Sequence, residues 1–328
     1  MLYYYALLYY NINLKQINTM KKIHLISTLI GLLAFSTISK ADLKVVTSIK
    51  PIHSLASYIM DGVGSPGLIV DGYNSPHSFQ LKPSHAKMLE QADIIFWIGE
   101  DLENFLEKPL ATIAKKAEKI ELLEIKGIKK LKFRERNIFE EHDDHGHDAK
   151  KEEHDDHEGH GHGEYDPHIW LDPINAKVIL NEITEHLIEN DSKNASTYKS
   201  NLAKALAEID KLIIDVITET NTDLSYVVFH DAYQYYANRF NVNILGAMTV
   251  NPDVMPGAEQ IHEIHEVIEH DNVSCILSEP QFNPDIIKTI AKDTNVKTGV
   301  LDPLGANLKP GKDLYFDLIR NMSASFNC

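Results

Sequence analysis

The chain is poor in cysteine, lacks a basic stripe and has no apolar run long enough to span a membrane. Only Cys275 and Cys328 occur in 328 residues, and neither lies near the N-terminal apolar stretch, so no lipoprotein anchor can form there. Acidic residues outnumber basic ones by 48 to 32, for a formal net charge of −16. The lack of clustered Lys and Arg argues against nucleic acid as a partner. The N-terminal apolar run is about 16 residues, short of the ~20 that a spanning helix needs, which favours a cleaved segment over the competing reading, a membrane anchor. The sequence contains no Gly-x-Ser-x-Gly elbow, no Gly-x4-Gly-Lys phosphate loop and no His-Glu-x-x-His protease motif. These absences count, modestly, against an enzyme.

Histidine is concentrated instead. Between Glu140 and Glu164 lie His142, His145, His147, His154, His157, His160 and His162, with eleven carboxylates and only Lys150 and Lys151. More than half of the net negative charge is therefore local. Almost nothing here is apolar, so the run builds no core. Imidazole and carboxylate both ligate borderline divalent metals. The run reads as an auxiliary metal-collecting loop on a globular protein whose main site lies elsewhere. The alternative is an acidic solubilising linker.

Met20 opens a secretory pattern: Lys21 and Lys22, a mostly apolar Ile23–Ile38, then Ser39-Lys40-Ala41. Cleavage is expected after Ala41, with export to the periplasm of a double-membraned bacterium. Residues 1–19 show no targeting pattern, so residues 1–41 read as an upstream extension plus signal peptide. In an exported chain two cysteines read as one disulfide; two free thiols are the alternative.

From there short apolar runs alternate with helical stretches. Strands are expected at Lys44–Ile49, Gly67–Val70, Asp93–Gly99 and Ile120–Leu123, with helices between them. Asp93–Gly99 is apolar enough to be buried on both faces. After a helix from Pro173, a longer one is expected from about Asn194 to Thr220, roughly 40 Å long. Its apolar residues Tyr198, Leu202, Leu206, Ile209, Ile213 and Val216 step by three and four. Strand–helix alternation then resumes from Tyr226. The expected class is α/β: two lobes, 42–190 and 222–328, each a parallel sheet flanked by helices, joined by one long helix in 191–221. Functional residues of such sheets gather beyond the carboxyl ends of the strands.

His77, His168 and His230 sit at such loop or strand-end positions. Each alone is weak evidence, because single histidines are commonly structural. Three neutral imidazoles plus one further group make a tetrahedral zinc site. The remaining ring nitrogen of each ligand needs an acceptor. Asp231 is adjacent to His230, and Asp166 and Asp172 flank His168. Asp302 ends the last strand and is a candidate fourth ligand, or an acceptor behind a ligand. His262, His265 and His270 lie on a helix in IHEIHEVIEH and read as solvated surface.

The ordered segments NSPHSFQLKPS, DPHIWLDP, FHDAYQYYANRF, TVNPDVMPGAEQ, SEPQF and LDPLG resemble the ZnuA-like family of periplasmic zinc-binding proteins that serve ABC importers. The resemblance covers essentially all of 44–328. It implies two α/β lobes joined by a rigid helix, metal in the cleft, and a membrane permease with a cytoplasmic ATPase as partners. It places the ligands at His77, His168 and His230, and pairs Cys275 with Cys328. Manganese-binding relatives tend to carry a carboxylate at the third position, so His230 tilts the site toward zinc. Some zinc members have an acidic residue just before the first histidine. Pro76 stands there in this chain, leaving Asp302, a water or a loop residue for the fourth position.

The expectation is a monomeric, non-enzymatic periplasmic protein that captures Zn2+ with high affinity and delivers it to an ABC importer. The rivals are a manganese or iron carrier of the same fold, a zinc hydrolase, and a surface adhesin or zinc-scavenging interaction protein.

Overall fold

The structure, a computed structural model, describes residues 42–134, 136–139, 163–250, 252, 254 and 256–328. The extension and signal segment expected in 1–41, and the histidines of 140–162, lie outside the described residues.

Strand and helix alternate in two halves. The first holds β1 (Val45–Ile49), α1 (Lys50–Ile59), β2 (Gly67–Val70), α2 (Pro83–Gln91), β3 (Ile94–Trp97), α3 (Glu100–Thr112) and β4 (Glu118–Glu121). Then come α4 (Pro173–Asn190) and α5 (Ala195–Glu219). The second holds β5 (Ser225–His230), α6 (Gln234–Phe240), β6 (Asn243–Thr249), α7 (Ala258–His270), β7 (Cys275–Ser278), α8 (Asp285–Thr294), β8 (Lys297–Val300) and α9 (Leu314–Ser325). Each half makes a four-stranded sheet, in the orders β2-β1-β3-β4 and β6-β5-β7-β8. Every pairing is parallel. Parallel neighbours need helical crossovers, and these cover both faces of the central strands. Accordingly β1, β3 and β5 are buried along their whole length. The fold is thus the two-lobed α/β arrangement.

α5 has 25 residues and is about 38 Å long. Its apolar stripe buries Tyr198, Ile209, Leu212 and Val216, while Ile214 and Ile217 face outward. It packs on α4, α1 and α9. The chain's last helix therefore returns across the second lobe to lie against α1 and α5. Tyr315 fixes it there: its amide donates to Ser54 Oγ at 2.9 Å and its hydroxyl to the Trp170 carbonyl at 2.9 Å. Among the described residues no helix is long and apolar enough to cross a membrane.

Cys275 on β7 is bonded to Cys328, with Cα atoms 6.2 Å apart and a sequence separation of 53. Closing a loop of that length stabilises the folded state by roughly 4 kcal/mol on chain-entropy grounds.

Three further ties cross between the halves. The Lys50 ammonium is buried and donates to the carbonyls of Gly305, Ala306 and Leu308 at 2.6, 3.0 and 2.8 Å. Trp170 Nε1 donates to the Pro303 carbonyl at 2.9 Å. Residues 137–139, from the first half, add antiparallel to the β6 edge through Phe139 N to Leu245 O and Ala247 N to Asn137 O. That approach requires glycine at 246, where a Cβ would lie 2.7 Å from the Asn137 carbonyl oxygen.

At the end of β3, Glu103 folds back from α3. Its Oε2 accepts from the amides of Ile98 and Gly99 at 2.7 and 3.2 Å. Burial pushes its carboxyl up to about 7, against the pull of these amides and Ser48. The folded value lies above the unfolded one. Glu103 therefore contributes stability that is fully present below about pH 4.5 and is lost as pH rises through about 7, a span of about 3 kcal/mol. Thermal unfolding of the metal-free protein at pH 5 and pH 8 tests this. Glu103→Gln keeps an acceptor for the amides and is expected to narrow the gap between the two temperatures. An unchanged gap would contradict the assignment.

Candidate metal centre

The three expected histidines converge, although they arrive by different routes. His230 is the last residue of β5. His168 immediately precedes a 3-10 turn, Ile169–Leu171, that leads into α4. His77 lies in the loop between β2 and α2, where its amide donates to Ser75 Oγ at 3.2 Å. One ligating nitrogen from each lies within 4.8 Å of the others. Ring centroids are 5.5 Å apart for His77–His168, 5.6 Å for His77–His230 and 5.2 Å for His168–His230. His168 and His230 are buried and His77 is half-buried.

Carboxylates behind two of the rings set their orientation. Asp166 Oδ1 sits 2.7 Å from His168 Nδ1 and also accepts the His168 amide at 2.9 Å. Glu279 Oε1 sits 2.6 Å from His230 Nδ1. With each Nδ1 proton held on its carboxylate, both Nε2 lone pairs point inward, and the two Nε2 atoms stand 3.3 Å apart. Two facing acceptors repel unless a cation or a proton lies between them. The imidazole set therefore suits a borderline divalent metal.

The enclosed space is about 10 Å3, roughly one water-sized sphere, walled also by Trp170, Phe282 and Leu304. Outside it a cleft of about 760 Å3 opens between Tyr73, Gln80, Lys82 and Phe282.

Of the acceptors expected from sequence, Asp166 pairs with its histidine. Asp231 instead pairs with Arg134 at 2.7 Å. Asp172 takes Arg239 in a two-pronged contact and caps α4 through the Ile174 amide. Glu279 was not singled out from sequence. It follows β7, which pairs with β5, so strand ends place it beside His230. Finding it needs the strand order, which spacing alone does not reveal.

Asp302 is not in the histidine cluster. Its Oδ1 accepts from Gln281 Nε2 and the amides of Leu304 and Gly305, and Oδ2 from Ala306. Hydrogen bonds to charged groups contribute about 1.5–3 kcal/mol each, so moving this carboxylate to a metal costs more than one such contact. His262, His265 and His270 lie on α7, where His262 faces Glu266 at 3.5 Å. Among the described residues one further cluster exists, of Glu118, His186 and Glu189, on β4 and α4. Its imidazole already faces Glu118 and Glu182.

A buried nitrogen trio, oriented by carboxylates and closed off between two α/β lobes, defines a metal-binding solute receptor. The family described as "Zinc-uptake complex component A periplasmic" matches residues 45–327, and the chain belongs to it. It is 45% identical over 301 residues to the high-affinity zinc uptake system protein ZnuA of Brucella abortus (strain 2308), an alignment covering 86% of this chain and 90% of that protein. The fold is similar to the crystal structure of ZnuA, with a TM-score of 0.69, 22% identity and coverage of 87% of this chain and 100% of that one. It is also similar to the Mn-bound periplasmic metal binding protein of candidatus liberibacter asiaticus, with a TM-score of 0.67, 21% identity and coverage of 86% and 97%.

The two paired histidines titrate in opposite directions. Burial, then the neighbouring His230, hold His168 well below the usual histidine value. Burial also pulls His230 down, but the Glu279 carboxylate with its hydrogen bond, then Asp231 and Asp166, outweigh it and raise His230. In the metal-free protein the proton between the rings therefore resides on His230. A metal must displace it. Affinity should be level at the highest pH and fall at least tenfold per unit of pH once the raised His230 and the Asp166 carboxyl, pushed up to about 7, take up protons, starting above pH 6.5. Zinc titration against a competing chelator from pH 8 to 5.5 measures this. Constant affinity from pH 8 to 6 would contradict it.

Proposed function

We propose that the protein captures zinc in the periplasm with high affinity and hands it to an ABC importer, its permease and cytoplasmic ATPase being the partners. The observation that carries this reading is the convergence of His77, His168 and His230 within 4.8 Å, with the far nitrogens of His168 and His230 on buried carboxylates. Three imidazoles, joined by no protein oxygen among the described residues, favour zinc over harder ions. The match to ZnuA of Brucella abortus over most of both chains supports the same cargo. The secretory pattern in 20–41, with cleavage after Ala41, supports the compartment. The protein acts as a monomer and breaks no bonds. The lobes are 42–190 and 222–328, with 191–221 as the linking helix. The histidines of 140–164 supply several weaker sites that raise local zinc.

A second reading, a manganese carrier, draws on the Mn-bound structural neighbour. Competition between the two metals separates them.

The test is zinc titration of the chain from residue 42, as parent and with His77→Ala, His168→Ala and His230→Ala together, alongside growth in zinc-depleted medium of cells relying on the importer. The parent is expected to hold one tight zinc and several weak ones. The triple variant should keep the weak sites, lose the tight one and fail to support growth. Tight zinc surviving in the triple variant would move the site elsewhere. Preferential retention of manganese by the parent would replace zinc as the cargo.

A further inference from the structure

Gln281 lines the metal pocket beside the three histidines, on the segment that follows β7. Its Nε2 donates to Asp302 Oδ1 at 2.9 Å. The same carboxylate accepts the amides of Leu304, Gly305 and Ala306 at 3.0, 3.0 and 2.5 Å. A carboxylate surrounded by N–H donors offers only acceptors, so the edge of the glutamine amide that meets it must be the NH2 group. The carbonyl Oε1 is thereby turned away from Asp302. Among the described residues that oxygen is buried and has no hydrogen-bond partner. A buried acceptor left unpaired calls for a donor or a cation.

The block that holds Gln281 is itself fixed from the opposite lobe. Lys50 binds the carbonyls of Gly305, Ala306 and Leu308, while Asp302 binds the amides of the same turn. Trp170, two residues from His168, holds the Pro303 carbonyl. Asp302 thus stands behind the pocket wall with its oxygens engaged, and Gln281 stands in that wall.

We propose that Gln281 completes the metal site: Asp302 orients its amide, and Oε1 accepts a hydrogen bond from a water bound at the metal's fourth position. The inference rests on the three-histidine reading above. A neutral amide at this position leaves the site rich in nitrogen and suited to zinc. A carboxylate there would harden it toward manganese. Gln281 is then a specificity-determining residue, and Asp302 a positioning residue that acts through it.

Chelator-competition titrations with zinc and with manganese, on the chain from residue 42, test the proposal. The proteins are the parent, Gln281→Leu, Gln281→Glu, Asp302→Asn and the Gln281→Leu/Asp302→Asn double variant, each with the unfolding temperature of its metal-free form. Gln281→Leu is expected to weaken the tight zinc site at least tenfold while the metal-free protein unfolds near the parent temperature. Gln281→Glu is expected to shrink the preference for zinc over manganese at least tenfold. Adding Asp302→Asn to Gln281→Leu should cost no further affinity, because the two residues act as one unit. Parent-like zinc affinity in Gln281→Leu overturns the proposal. So does additive loss in the double variant, which would make Asp302 a ligand in its own right. Should Gln281→Leu lower the metal-free unfolding temperature, the metal preference of Gln281→Glu decides, and an unchanged preference overturns the proposal. A parent whose tight zinc survives the triple histidine substitution would instead defeat the three-histidine reading, whatever Gln281 does.

Discussion

Two imidazole nitrogens facing each other at 3.3 Å, each ring oriented by a carboxylate at its other nitrogen, set the terms for the whole molecule. Such a pair is unfavourable when empty of positive charge. Asp166, Glu279 and Asp231 surround it, with Arg134 as the opposing cation. When ionised, three carboxylates against one guanidinium leave two negative charges, which a divalent cation balances. In its absence burial works against two of these charges. It pushes Asp166 up to about 7 and Asp231 up to about 6, although Arg134 draws both down. A dication at the imidazoles favours the ionised forms, so metal binding and carboxylate ionisation support one another.

Holding such a centre demands a frame that does not relax. The two central strands supply part of it, since β5 ends in His230 and its neighbour β7 leads directly to Glu279. The rest is polar bonding between lobes. The buried Lys50 amine, held below the ordinary lysine value chiefly by burial, is spent on three carbonyls of the second lobe. The 137–139 segment crosses to the β6 edge, and its neighbour Arg134 reaches Asp231 beside His230. The contacts that shape the site and those that join the lobes are thus largely the same set.

Much of this was legible in the sequence because the signals are local. Continuous apolar runs such as Ile94–Trp97 mark buried parallel strands, and the three- and four-residue steps of α5 mark a long packed helix. β4 was placed two residues late. It is an edge strand that begins with the exposed Glu118 and Lys119, so its first half carries no apolar signal. The kink at Glu103 was likewise invisible, because it goes with a side chain bonding back to the Ile98 and Gly99 amides. The histidines could be chosen from strand-end position. Their partners could not, except Asp166, which is two residues from His168. Glu279 and Gln281 are brought to the histidines by sheet order, whereas Asp302, which its strand-end position did mark, is captured by the amides of the turn that follows it. Those are tertiary facts, and sequence spacing carries no trace of them.

The most direct test of the account is X-ray absorption at the zinc edge of the chain from residue 42, loaded with one equivalent of zinc. Three imidazole nitrogens and one oxygen at about 2.0–2.1 Å are expected, with the outer-shell scattering of the imidazole rings, and the imidazole signal should drop in the His77→Ala, His168→Ala, His230→Ala protein. A first shell dominated by carboxylate oxygens, or one unchanged by those substitutions, would contradict the account.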